Sequence, residues 1–303
     1  MSSDLPRVSI VVPSRDRHEM LRDCIEGISG CRQRQSVEVI IVDDGSQPPI
    51  DARTLPRGSD ALIVRLEGVG PAAARNAGID AARGEIVLFT DDDTVPHPSW
   101  VDAALNYLDS HADAIGVSGP IESVDWDALY QHSIRTGAAD EATGGNFWTC
   151  NIGYRRATLE AIGGFRADVF RHAHAEDRDL AIRAMELGQI GFAPGMAVSH
   201  TPRPVGLRSV IRQASWARDD VALYALHPQL TADFGLPVRL ALVKQAGTRW
   251  VRRARQSDSG LSVKRWVRAV TLSAVAAAVA AWAVFLAPPL RLQQSRREPG
   301  ASG

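Results

Sequence analysis

The residues best suited to chemistry in this 303-residue chain are acidic, and they sit where apolar runs end. The stretch "GEIVLFTDDDTVPHP" puts Asp91, Asp92 and Asp93 directly after such a run. Three adjacent carboxylates repel one another unless solvent, hydrogen bonds or a cation compensates. A divalent cation bound through oxygen is the natural compensator, with Mg²⁺ or Mn²⁺ the best match. On an extended backbone Asp91 and Asp93, two residues apart, can project alike while Asp92 projects elsewhere. A structural Ca²⁺ competes, but no EF-hand spacing with its distal Glu is present. Two further turns have the same character: Pro13, Ser14, Arg15 and Asp16 follow one apolar run, and Asp43, Asp44, Gly45 and Ser46 follow another. Any one of them reads as a turn or helix cap. All three together point to a ligand site.

The elements that must position these turns are visible in the hydrophobic pattern. Apolar, β-branched runs recur at Val8–Val12, Val37–Val42, Leu62–Leu66 and Ile86–Phe89, with about twenty polar or helix-compatible residues between them. Runs apolar at consecutive positions suit strands covered on both faces, as in a parallel sheet flanked by helices. His18–Ile28 and Ala72–Ala82 supply helical spacing or strong helix formers between them. The fold class is therefore α/β, a Rossmann-like, mostly parallel sheet flanked by helices. In such sheets the ligand crevice lies beyond the carboxyl ends of the strands, where the three turns gather. After Val117 the pattern becomes irregular, and helical spacing resumes at Ala175–Leu187. From Leu207 to Leu226 the residues Leu207, Val210, Ile211, Ala214, Ala217 and Val221 would line one helix face.

Composition sets outer bounds. An apolar content of 45% with 23% charged residues describes a folded protein, and a net charge of −1 gives no global drive toward nucleic acid. Cys24, Cys31 and Cys150 form no CxxC pair, which fits a reduced cytoplasmic setting. The start, MSSDLPRVSIVVPS, lacks the basic and long apolar segments of a secretory signal. Seven of the eight charged residues between Arg249 and Arg268 are basic, against a single Asp258, and Ala269 to Leu290 carries no charge. That run is long enough to cross roughly 30 Å of hydrocarbon as a helix. Its many alanines equally suit a buried or interfacial helix. The basic residues at its start favour contact with anionic lipid on the cytoplasmic face of a membrane. The tail 291–303 reads as disordered.

Five stretches carry a family likeness: "VSIVVPSRDR", "VEVIIVDDGS", "GPAAARNAGIDAARGEIVLFTDDDTVPHPSW", "TCNIGYRRATLEAIGGF" and "AEDRDLAIRAMELG". In this order they resemble the successive motifs of family 2 glycosyltransferases with the GT-A fold. The resemblance covers about Val8 to Arg203. It implies a GT-A domain over 1–203; beyond it the sequence pattern itself reads as a helical extension at 204–248, a basic segment and membrane-associated helix at 249–290, and the tail at 291–303.

It also implies roles. A nucleotide diphosphate sugar would lie against Pro13, Ser14, Asp16, Asp44, Arg75 and Asp92, with Asp44 accepting from the base and Asp92 near the ribose. Asp93, with Asp91 as the weaker ligand and His200 as a third, would hold Mg²⁺ or Mn²⁺ against the diphosphate. Asp177 would be the general base toward a hydroxyl-bearing acceptor, giving inversion. Trp148, Asn151, Gly164 and Glu176 would lie on the acceptor side. Bland readings stand beside these: Glu176 and Asp177 also suit a helix amino terminus, Trp148 also suits a buried anchor, and a lone histidine is more often no ligand. "RQASWARDD" only loosely resembles the Gln-x-x-Arg-Trp signature of processive members, and its spacing differs. A sugar nucleotidyltransferase would need a glycine-rich, lysine-bearing loop after the first strand, absent from "VVPSRDRHEM". A non-catalytic binding scaffold is the other alternative.

Overall fold

The computed structural model describes residues 5–31, 36–123, 147–201, 207–231, 239–240, 242–244, 246–248 and 263–286. Its first half is an α/β layer structure. Strands β1 (Val8–Ser14), β2 (Val37–Asp44), β3 (Leu62–Leu66) and β4 (Ile86–Thr90) run parallel. With β6 (Ala114–Ser118), β8 (Asn151–Arg155) and β9 (Gln189–Phe192) they complete a seven-stranded sheet of order β3-β2-β1-β4-β8-β6-β9. Only β8 runs against its neighbours. A small second sheet joins β5 (Thr94–Pro96), β10 (Val198–His200) and β7 (Ile121–Ser123).

Alternation along the strands builds two cores. Val8, Ile10 and Val12 of β1 and Ile86 and Leu88 of β4 face one side, packing with α1 (His18–Cys31) and α3 (Trp100–Ser110). Val11, Val87 and Phe89 face the other, packing with α2 (Pro71–Ala81), α4 (Arg156–Ile162) and α5 (Glu176–Met185). Full burial of each such side chain contributes about 1.5–3 kcal/mol, so both faces are needed to hold the central strands. The four strands and the helices expected at 18–28, 72–82 and 175–187 are thus present, each within a few residues of its expected bounds.

The expected single helix from Leu207 to Leu226 is two: α6 (Leu207–Ser215) and α7 (Ala217–Leu226), separated at Trp216. Of the face proposed for it, Val210, Ala214 and Ala217 are buried, whereas Leu207 and Ile211 are exposed. The break reorients the second segment, so one stripe no longer serves both. Helix α8 (Val263–Ala281) continues in one π turn over Trp282–Leu286. Among the described residues no helix is long and apolar enough to cross a membrane. The uncharged run, which the sequence left open to a spanning, buried or interfacial helix, packs Ala269, Leu272 and Ala276 against Val210 and Ala214 of α6. Most of the basic cluster, residues 287–290 and the tail 291–303 lie outside the described residues.

Candidate active site

The site forms at the carboxyl ends of β1, β2 and β4. Asp43 and Asp44 end β2 and face different tasks. Asp43 is buried and accepts from the backbone N–H of Ser46 and Ile50, both at 2.9 Å, and from Arg65. This shapes the "DDGS" turn, in which Gly45 takes a φ of 87° that favours glycine. Asp44 accepts from Val69 N–H at 2.7 Å and from Gly70 N–H at 2.9 Å, fixing the entry to α2. Each Asp44 oxygen keeps a second lone pair for a ligand. Asp16, at a φ of 56°, accepts from Gln47 N–H at 2.7 Å and donates its own N–H to Ser46, which joins the first two turns. Pro13 is half-buried above them.

The three aspartates after β4 are unequal. Thr94 pins their turn, donating from Oγ1 to Asp91 C=O at 2.7 Å. Asp92 is buried, accepts from Ser14 Oγ at 2.9 Å and pairs with Arg17 at 2.7 Å. Burial pushes its carboxyl above the usual range despite those partners. Asp91 is the most open and accepts from Arg75 Nη2 at 2.9 Å. Asp93 Oδ2 lies 3.6 Å from His200 Nε2, across 107 positions of sequence. The pairing of β10 with β5, which sets His200 opposite Thr94, brings them together, and Thr201 N–H donates to Asp93 C=O. Burial holds His200 below the usual histidine range, favouring the neutral imidazole a cation needs. Among the described residues no group of three or more His, Cys, Asp or Glu side chains could by itself hold a metal ion. Asp93 and His200 are close enough that they could supply two ligands to a divalent cation, with substrate oxygens and water left to complete its shell.

A second acidic cluster opens α5. Ala175, at a φ of 70°, turns the chain so that Glu176 and Asp177 open the helix. Glu176 is buried and accepts from Arg75 Nη1 at 2.9 Å, while its Oε2 is buried with no hydrogen-bond partner. Arg75, 3% exposed, therefore ties Asp91 at the sheet edge to Glu176 at the head of α5. Asp177 is half-buried and its Oδ1 accepts from Arg178 N–H at 2.8 Å. Burial raises both carboxyls, Asp177 to about 6; the Asp177 charge adds to the rise of Glu176, and Arg75 and His174 pull both back.

Other expected site residues have structural work. Asn151 is buried: Oδ1 accepts from Trp100 Nε1 at 2.7 Å and Nδ2 donates to Pro120 and Met196 carbonyls, both at 2.8 Å. These three bonds hold the amide in place, so the side chain fixes the loop. Trp148 is half-buried against the core. Gly164 has a φ of 67°, and a Cβ there would meet Asn76 Oδ1 at 2.6 Å. Asn76 of α2 brackets the next residue, accepting from Phe165 N–H and donating to Phe165 C=O, both at 2.8 Å.

Several participants escaped sequence reasoning. Arg17 was legible as the basic residue closing "PSRDR", and Asn76 as the polar residue after Arg75. His174 bonds Asp220 of α7 at 2.9 Å and stacks on Trp216, while His172 bonds Asp219 at 2.9 Å. Burial opposes the His174 charge, but Asp220, Glu176 and Asp177 outweigh it and raise its pKa to about 9. Asp179, below on α5, gathers Arg166, Arg183 and His227. The two histidine–aspartate contacts dock α7 onto the segment that leads into α5, and no sequence motif announces them.

Comparison with known proteins bears on the family and the fold. The family model described as "Glycosyl transferase family 2" matches residues 9–163. The pre-mycofactocin glycosyltransferase of Mycobacterium tuberculosis is 28% identical over 241 residues, 74% of this chain and 49% of the relative. Glycosyltransferase AglE of Haloferax volcanii is 26% identical over 220 residues, 68% of this chain and 70% of the relative. The chain spans about half the length of the first of these. Among solved structures, the mannosyltransferase PcManGT from Pyrobaculum calidifontis, in complex with GDP-Man and Mn²⁺, aligns at a TM-score of 0.61 and 19% identity, covering 93% of this chain and 88% of that one. S. aureus TarS 1-349 in complex with UDP-GlcNAc aligns at 0.51 and 15%, covering 91% of each. These likenesses are of fold.

Proposed function

The chain belongs to glycosyl transferase family 2, and from that premise we propose that it moves one sugar from a nucleotide diphosphate donor to a hydroxyl acceptor, inverting the anomeric carbon. One observation carries the reading: two acidic clusters, Asp91–Asp93 and Glu176–Asp177, are joined through the buried guanidinium of Arg75. Displacement at an anomeric carbon needs charge stabilised where the diphosphate leaves and a base where the acceptor attacks. A rigid link between the two keeps them in register.

Pro13, Ser14, Asp16 and Asp44 take the nucleoside, and Asp92, oriented by Ser14 and Arg17, takes the ribose side. The nucleotide sugars bound by the fold neighbours support such a donor. Asp93 and His200 are the residues that would hold Mg²⁺ or Mn²⁺, with Asp91, committed to Arg75, a weaker contributor. When bound, the ion would neutralise charge developing on the departing diphosphate. Asp177 accepts the acceptor's proton as the new bond forms; a pKa of about 6 leaves it ionised at neutral pH yet more basic than an ordinary aspartate. Glu176, held by Arg75, positions that end of α5, and Trp148 and the Gly164 turn border the acceptor space. The basic, apolar C-terminal region supports an acceptor met at the cytoplasmic face of an anionic membrane.

The test is thermal shift and turnover with UDP-, GDP- and dTDP-sugars in the presence of Mn²⁺. One donor should stabilise the protein and yield product; Asp93→Ala should lose the Mn²⁺-dependent part of that stabilisation. Asp177→Asn should keep donor binding and lose transfer. Donor binding indifferent to Asp93→Ala removes the metal assignment, and normal transfer by Asp177→Asn moves the base elsewhere.

A further inference from the structure

Helix α8 carries no charge on any side from Ala269 onward, yet among the described residues only one side is packed into a core, the Arg239 guanidinium lying over the Phe285 ring at 5.9 Å on the other. Val267, Val270, Ala274, Ala278, Trp282 and Phe285 are exposed at spacings of three and four residues, forming one continuous ridge. A solvent-facing helix side ordinarily carries charge, and this ridge has none. On the neighbouring α6, Leu207 (54% exposed) and Ile211 are exposed beside Arg208 and Arg212. Among the described residues from 207 to 286 the acidic side chains are Asp219 and Asp220, both engaged by histidines, so the exposed charge there is basic: Arg208, Arg212, Arg239 and Lys244. The whole chain is polarised alike. Residues 203–303 hold 16 of the 34 Lys and Arg and 5 of the 35 Asp and Glu, a net charge of +11, leaving −12 on residues 1–202.

We propose that the face formed by α6 and α8 lies flat on an anionic lipid bilayer, with the α8 ridge in the interfacial plane. This rests on the membrane reading above and gives it a surface and an orientation. Exposed apolar side chains beside arginines match a headgroup boundary, where tails take the first and phosphates the second. The polarity adds direction, since an anionic surface attracts the C-terminal region and repels the acidic domain. Spanning is disfavoured because the opposite side of α8 is spent on α6 and, further along, on Ala217 of α7.

Flotation of the full chain with vesicles of phosphatidylcholine and phosphatidylglycerol, against phosphatidylcholine alone, tests the proposal. Binding should require the anionic lipid and weaken with salt. The double variant Val270→Glu/Trp282→Glu should bind at least tenfold more weakly, and Arg208→Glu/Arg212→Glu about as much. Thermal unfolding checks that each variant is folded, with the milder Val270→Ser/Trp282→Ser in reserve. Binding equal to the parent protein by folded variants overturns the face. Resistance to alkaline carbonate extraction overturns the flat orientation. Absence of vesicle binding with a dimer that Val270→Glu/Trp282→Glu dissociates gives the face to a second copy. Donor turnover without vesicle binding overturns the dock while leaving the transferase reading intact.

Discussion

Strands β1 and β4 are buried on both faces, whereas α8 is also largely apolar but buried on one. The sheet half satisfies its hydrophobic surface internally and spends its polar residues on one rim, where carboxylates gather at strand ends. Among the described residues the helical half covers only the side of α8 that faces α6 and α7 and leaves the other exposed, beside exposed basic charge. The contrast teaches that similar hydrophobicity can have different purposes: covered on two sides it positions a site, and covered on one it invites a partner. The halves meet at α7, whose Asp219 and Asp220 reach His172 and His174 just before α5.

The sharpest break of that contrast would be a catalytic defect arising in the helical half. Asp177→Asn in the sheet half should lower kcat about 10²–10⁴-fold with donor affinity retained, read by steady-state kinetics and thermal shift. Arg75→Ala should leave Glu176 a buried carboxylate without its partner and cost about 3–5 kcal/mol, read by urea unfolding. Leu272→Ala, on the packed side of α8, should cost about 2 kcal/mol because part of the helix is already in water, and donor affinity should not change. A large loss of donor binding there would show that the halves are one unit.

Smaller effects concern the seam. The Asp177 carboxyl is raised from 3.8 to about 6 in the folded chain, so between those values the native state holds more protons than the unfolded one. The contribution of this group to stability should therefore fall as pH rises through that window, while turnover rises as the base ionises. Asp177→Asn should flatten the stability profile, measured by unfolding at a series of pH values. His174→Gln removes a positive charge that favours ionised Asp177, and should move the acid limb of kcat upward by less than one pH unit. An unmoved limb would mean that α7 braces the site without tuning it.

Much of the sheet was legible, because consecutive apolar residues at Val8–Val12 and Ile86–Phe89 suit a strand covered on both faces, whatever lies around them. The acidic turns were legible for the same reason, since strand ends in a parallel sheet share one rim. The split at Trp216 and the half-open α8 were not, because helical spacing marks an apolar stripe without saying what covers it.

By itself the sequence determined the α/β alternation, the rim bearing Asp44 and Asp91–Asp93, and the motif order of the family. Only the tertiary structure decided that His200 meets Asp93, that Arg75 joins Asp91 to Glu176, that Asn151 is held by Trp100, and that α7 clamps the segment leading into α5. The physical reason is range. Strand and helix periods come from neighbours a few residues apart, whereas these pairings span from 16 to 107 positions and exist only once register and helix docking have set the distances.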